Sequence, residues 1–129
     1  MKKIIGIALA AVCLLGCKQG KKELHDPLLR QQLTTIVSSL NVENRSSADQ
    51  AMSDIDSILR VNSKKMSELQ KSELENAVMT LELAEHNYYL SNLYKIGNVN
   101  SPEASENAKQ LQERVSKAKD QISDAAATF

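Results

Sequence analysis

Residues 101–129 read SPEASENAKQLQERVSKAKDQISDAAATF, and the spacing of their apolar members decides the fold. Ala104, Ala108, Leu111, Val115, Ala118, Ile122, Ala125 and Phe129 recur at alternating steps of four and three. That is the period of a helix laying one narrow stripe against one neighbour, as in a coiled coil. Ser101 offers a hydroxyl to the free N–H groups of the first turn, and Pro102 loses no hydrogen bond at the first helical position. Glu103 suits the positive end of the helix dipole. Glu, Lys, Gln, Asn and Ser fill the other faces, with Glu113 and Lys117 as an i,i+4 pair.

The neighbour stands just upstream. Gly97-Asn98 is a stop signal that predicts a left-handed C-terminal turn. The five residues 98–102 suit the short link of an antiparallel hairpin. The preceding helix is predicted to be the longest. Ser63, Ser67 and Ser72 all compete to start it, the last two through Ser-x-x-Gln70 and Ser-x-x-Glu75 capping boxes. Leu74, Ala77, Val78, Leu81, Ala84 and Tyr88 line one face, and Met79, Leu83, His86, Leu90 and Leu93 line a second. A helix apolar on two sides lies inside a bundle or carries a partner surface.

Two shorter helices precede it. Asp26-Pro27 is an N-cap followed by proline at N1, and Leu29, Leu33, Ile36, Val37 and Leu40 follow at helical spacing up to Asn41. Ser47-x-x-Gln50 predicts the start of the second, with Ala48, Ala51, Met52, Ile55, Ile58 and Leu59 buried and an Asp56–Arg60 pair on the surface. Val61-Asn62-Ser63 is its expected break. Placed end to end, these two would cover one side of the long helix while the fourth covers the other. The expectation is an all-α protein, a small four-helix bundle or pair of helical hairpins over residues 26–129.

Residues 1–25 read differently. Lys2 and Lys3 precede an uncharged apolar run from Ile4 to Leu15, twelve residues where a bilayer-crossing helix needs about 20. Such a run reads as a signal peptide. It ends on Leu14-Leu15-Gly16-Cys17, which resembles the lipobox of bacterial lipoproteins. The resemblance implies cleavage after Gly16, removal of residues 1–16, and lipid, palmitate among it, on Cys17. Residues 18–25 (KQGKKELH) then read as a flexible tether, and residues 17–25 as the lipidated cysteine with that tether. In a cell with two membranes, Lys18 behind the cysteine implies the periplasmic face of the outer membrane, since Asp there marks retention at the inner one.

Loss of residues 1–16 leaves fourteen Lys and Arg against sixteen Asp and Glu, with no basic block, which argues against nucleic acid as a partner. Cys13 departs with the signal and Cys17 is taken by lipid, so no thiol remains for a disulfide, a metal or a nucleophile. His25 and His86 lack companions at metal-ligand spacing, and no metal or other cofactor is expected. Glu73/Glu75, Asp54/Asp56 and Glu82/Glu85 space like solvated helix faces rather than acid–base pairs. There is no phosphate loop and no nucleophile elbow, so no catalytic residue is assigned and an enzyme is not expected.

His86, Tyr88, Tyr89 and Tyr94 form the one cluster with chemical variety. Its rings either pack at the core edge with their polar tips in water, or form a recognition patch, tyrosine being favoured at interfaces. Tyr89, Leu90, Leu93 and Tyr94, close to the Gly97 turn, are the candidate partner surface. The functional expectation is a membrane-anchored envelope lipoprotein that binds a protein and assists its assembly. Size, tether and helical pattern are loosely similar to the helical pilotins, which escort secretins to the outer membrane. The alternatives are an exclusion or immunity lipoprotein of a plasmid or phage, and a structural lipoprotein of the envelope.

Overall fold

The computed structural model describes residues 22–129. The expected signal peptide, Cys17 and the first part of the expected tether lie outside the described residues. Among those described there are four helices and no strand: α1 (Pro27–Ser39), α2 (Arg45–Asn62), α3 (Glu68–Ile96) and α4 (Pro102–Ala126). The all-α expectation holds.

Asp26 caps α1 by accepting from the N–H groups of Leu28 (3.0 Å) and Leu29 (3.4 Å). Along the β-branched stretch Thr34-Thr35-Ile36-Val37 and just after it, the hydroxyls of Thr34, Thr35, Ser38 and Ser39 each donate to the carbonyl one turn back, which satisfies them within the helix. Leu40 is extended, so α1 stops one residue before the expected end.

The start of α2 departs from expectation. The helix begins at Arg45, capped by Asn44, whose side chain accepts from the Ser46 N–H at 3.0 Å. Ser47 already lies in the first turn. Its hydroxyl accepts from the Asn41 N–H (3.0 Å) and donates to the Asn44 carbonyl (2.7 Å), and Gln50 donates forward to Asp54. An asparagine one turn upstream outcompeted the Ser-x-x-Gln box.

In α3, Ser67 wins among the three candidate caps and closes a full capping box with Gln70. The helix ends as a Schellman turn. Asn98 takes the left-handed conformation (φ 52°), its N–H donates to the Lys95 carbonyl, and the Val99 N–H donates to the Tyr94 carbonyl at 2.8 Å. Gly97 itself has negative φ; what it supplies is room, since a Cβ there would sit 3.2 Å from a Val99 methyl.

The arrangement corrects the end-to-end placement of α1 and α2. The two instead fold back beside each other, α1 lying on α4 and α2 on α3, while α3 and α4 form the dominant hairpin. No Cα of α1 comes within 8 Å of one in α3, and none of α2 within 8 Å of one in α4. Leu33, Ile55, Leu74, Leu81, Val115 and Ile122 fill the centre of the resulting core.

The α4 seam is real but breaks once. Ala108 is exposed and Asn107 is buried in its place. Its side chain meets Asn87 of α3, which donates to the Asn107 Oδ1 at 2.8 Å, while Asn107 donates to the Asn87 carbonyl and the Ser91 hydroxyl. Arg114 closes the group by donating to Asn87 Oδ1 at 2.6 Å. The expected surface pairs do not form among the described residues: Arg60 donates to Ser57, and Glu113–Lys117 is open.

Candidate functional site

The two ends of the α3–α4 hairpin differ, and the difference begins with Gln70. Its side chain is fully buried, and the amide is satisfied on all sides. Its Oε1 accepts from the N–H groups of Leu24 (2.9 Å) and Ser67 (3.0 Å), and its Nε2 donates to the carbonyls of Leu24 (3.0 Å) and Thr128 (3.2 Å). The Asp26 N–H adds a bond to the Phe129 carbonyl at 3.0 Å. Residue 24 therefore belongs to the fold, packed against the core, where the tether was expected to continue to His25.

Carboxylates gather at the same end. Glu73 is pushed above the ordinary carboxylate range, first by burial and then by the negative charges of Asp124 and Glu23. One of its oxygens is buried without a hydrogen-bond partner. A second acidic group sits between α2 and α3. Glu85 is also raised, by burial and by its contact with Asp49, against the pull of Arg45 at 2.8 Å. No cluster of three or more His, Cys, Asp or Glu among the described residues is placed to hold a metal ion.

Further along α3, the Tyr88 hydroxyl donates to the Asn41 carbonyl at 2.6 Å. That bond marks where the α1–α2 turn reaches α3. Tyr88 is core, its hydroxyl raised in pKa mainly by burial. The members of the predicted surface are distributed unevenly. Tyr89 and Leu93 are exposed, whereas Leu90 and Tyr94 are half-buried. His86 is exposed.

The second apolar face of α3 remains uncovered. Met79 is 60% exposed, Leu83 57%, Tyr89 53% and Leu93 44%. Ile96 and Val99 extend the patch round the turn, and sequence reading missed both. Their signal was available: apolar residues flanking a Gly-Asn stop, beyond the last turn that a neighbour could reach.

A competing concavity lies between α1 and α2, an open groove of about 990 Å³. Its floor of Leu29, Ile36, Ala51 and Ile58 is already buried by the fold, and its walls are mostly Gln, Ser, Thr and Asn. The apolar surface it still exposes is led by two side chains, Leu28 and Val61, both at one end. The α3 patch offers more. No known protein family, curated protein or solved structure matches this chain. No helix among the described residues is long and apolar enough to cross a membrane.

Proposed function

We propose that this chain is a lipid-anchored envelope protein whose helical domain binds another protein through the uncovered face of α3, from mid-helix to the open end of the α3–α4 hairpin. The observation that carries the reading is the cluster of half-exposed apolar side chains at Met79, Leu83, Tyr89 and Leu93. Full burial of such a side chain is worth about 1.5–3 kcal/mol, so covering the exposed halves of four yields roughly 3–6 kcal/mol. Association costs about 4–15 kcal/mol in lost freedom. The patch alone thus supports a weak, reversible contact.

A membrane anchor changes that balance, because two proteins held on one surface meet at a raised effective concentration. The lipobox-like Leu14-Leu15-Gly16-Cys17 supplies the anchor in this reading. With Leu24 held by Gln70, the span from Cys17 reaches about 25 Å at most. Among binding roles, an assembly factor of the pilotin kind fits a tethered bundle with one open end.

The test uses the full chain in cells, with p-benzoylphenylalanine in place of Leu93 or, as a control, of Lys109 on the outer face of α4. The expected result is a discrete cross-linked adduct from position 93 alone, weakened when Cys17→Ser also abolishes labelling by a palmitate analogue. Identical adduct patterns from both positions would overturn the binding surface. Equal palmitate label in wild type and Cys17→Ser would overturn the anchor.

A further inference from the structure

Met79, Leu83, His86, Leu90 and Leu93 step by four, three, four and three, the same rhythm by which α4 packs on α3. At 100° per residue they form a stripe about 80° wide, set roughly opposite the face that Leu74, Ala77, Leu81 and Ala84 bury. One edge of this stripe is closed, because Thr80 and Asn87 are buried beside α4. The other edge is open and carries Glu75, Glu82, Tyr89 and Ile96, all exposed, at intervals of seven. The nearest cation on that arc, Lys71, is already held by Glu68 at 2.8 Å.

Resting on the protein-binding reading above, we infer that the stripe receives a single amphipathic helix of a partner protein, apolar along its seam and bearing Lys or Arg along one edge. The charge pattern selects this occupant. A second copy laid antiparallel about the midpoint of the stripe would set Glu82 near the Tyr89 of its mate and Glu75 near its Ile96, leaving both carboxylates without a cation. A parallel copy would need the edge that α4 covers. An anionic membrane surface meets the same two carboxylates. A basic edge on the incoming helix turns them from a penalty into a match. The stripe from residue 79 to 93 is about 21 Å long, so the incoming helix needs about four turns.

The experiment places the full chain in zwitterionic lipid nanodiscs, with its methionine methyl groups labelled for NMR. Three 18-residue synthetic peptides are the probes. One has a leucine seam with a lysine edge, one the same seam with a glutamate edge, and one the lysine composition scrambled so that the seam is lost. The lysine-edged peptide is expected to move the Met79 signal and leave buried Met66 in place, binding about tenfold tighter than the glutamate-edged one. Glu75→Gln with Glu82→Gln should erase that tenfold difference while seam-dependent binding persists. Leu83→Asp, at an exposed position, should abolish the Met79 shift with helicity intact.

Equal binding of the two edges, or equal binding of the scrambled peptide, overturns the inference. So does a Met79 shift that follows protein concentration without peptide, or one that follows anionic lipid without peptide. If the peptides fail but position 93 still gives its adduct in cells, the partner is not a basic helix. If both fail, the binding reading itself falls.

Discussion

The two ends of the α3–α4 hairpin are built from the same kinds of residue and finished in opposite ways. At the Gln70 end, polar groups are matched and the chain is held at both Leu24 and Phe129. At the Gly97 end, backbone groups are closed by the Schellman turn, yet Tyr89, Leu93, Ile96 and Val99 stay in water. The cause is reach. Helix α1 has 13 residues, about 20 Å, and its turn into α2 arrives only at the level of Tyr88. Beyond that level α3 has α4 alone for company. Buried apolar area measures stability, and exposed apolar area measures what is left for a partner.

The contrast breaks most visibly under truncation. Leu74→Ala, in the buried half, should cost about 2–5 kcal/mol and lower the denaturant midpoint sharply. Leu93→Ala should change it by about 0.5 kcal/mol or less. Comparable losses at both sites would mean that the open end is core after all.

Gln70→Ala comes next. It leaves both main-chain groups of Leu24 without partners and removes half the capping box, for a loss of about 2 kcal/mol. Hydrogen exchange should quicken at Leu24 and Ser67 while amides near Tyr94 keep their protection. A uniform loss of protection would show that the two ends are not independent.

The smallest effect is electrostatic. Glu73 has a folded pKa raised above its unfolded value, so the folded state binds more protons. Its destabilising contribution is absent below the unfolded pKa, grows as pH rises through the folded pKa, and is constant above that. Glu73→Gln should therefore add about 0.5 kcal/mol or less near pH 7 and nothing near pH 3. A loss at neutral pH would mean that this half-buried carboxylate has a favourable partner.

Much of this fold was legible in the chain. Asp26-Pro27, Ser67-x-x-Gln70 and Ser101-Pro102 each mark a helix start through a side chain that acts within one turn, and the structure uses all three. Asn44 was passed over because Ser47-x-x-Gln50 offered a fuller local signal, while the choice between them depended on how Asn41 and Ser47 meet across the turn. The second face of Met79, Leu83, Leu90 and Leu93 was visible as periodicity. Whether it is covered was not, since that depends on α1 folding back along α4. Asn107 escaped notice because it also fits a step of three from Ala104, and only its meeting with Asn87 shows why asparagine is there.

That meeting gives the hairpin a fixed dimension. Sliding α4 along α3 by a heptad would strand Asn107 among apolar side chains and part Arg114 from Asn87, each unmet buried group costing about 1–3 kcal/mol. The pair acts as a pin through two rods, so their overlap cannot drift. Gln70 and Leu93 then lie on one unbroken helix about 35 Å apart. Measured from the point where the chain is gripped, the height of the open end is a gauge length, set by residue count and not by the give of a loop.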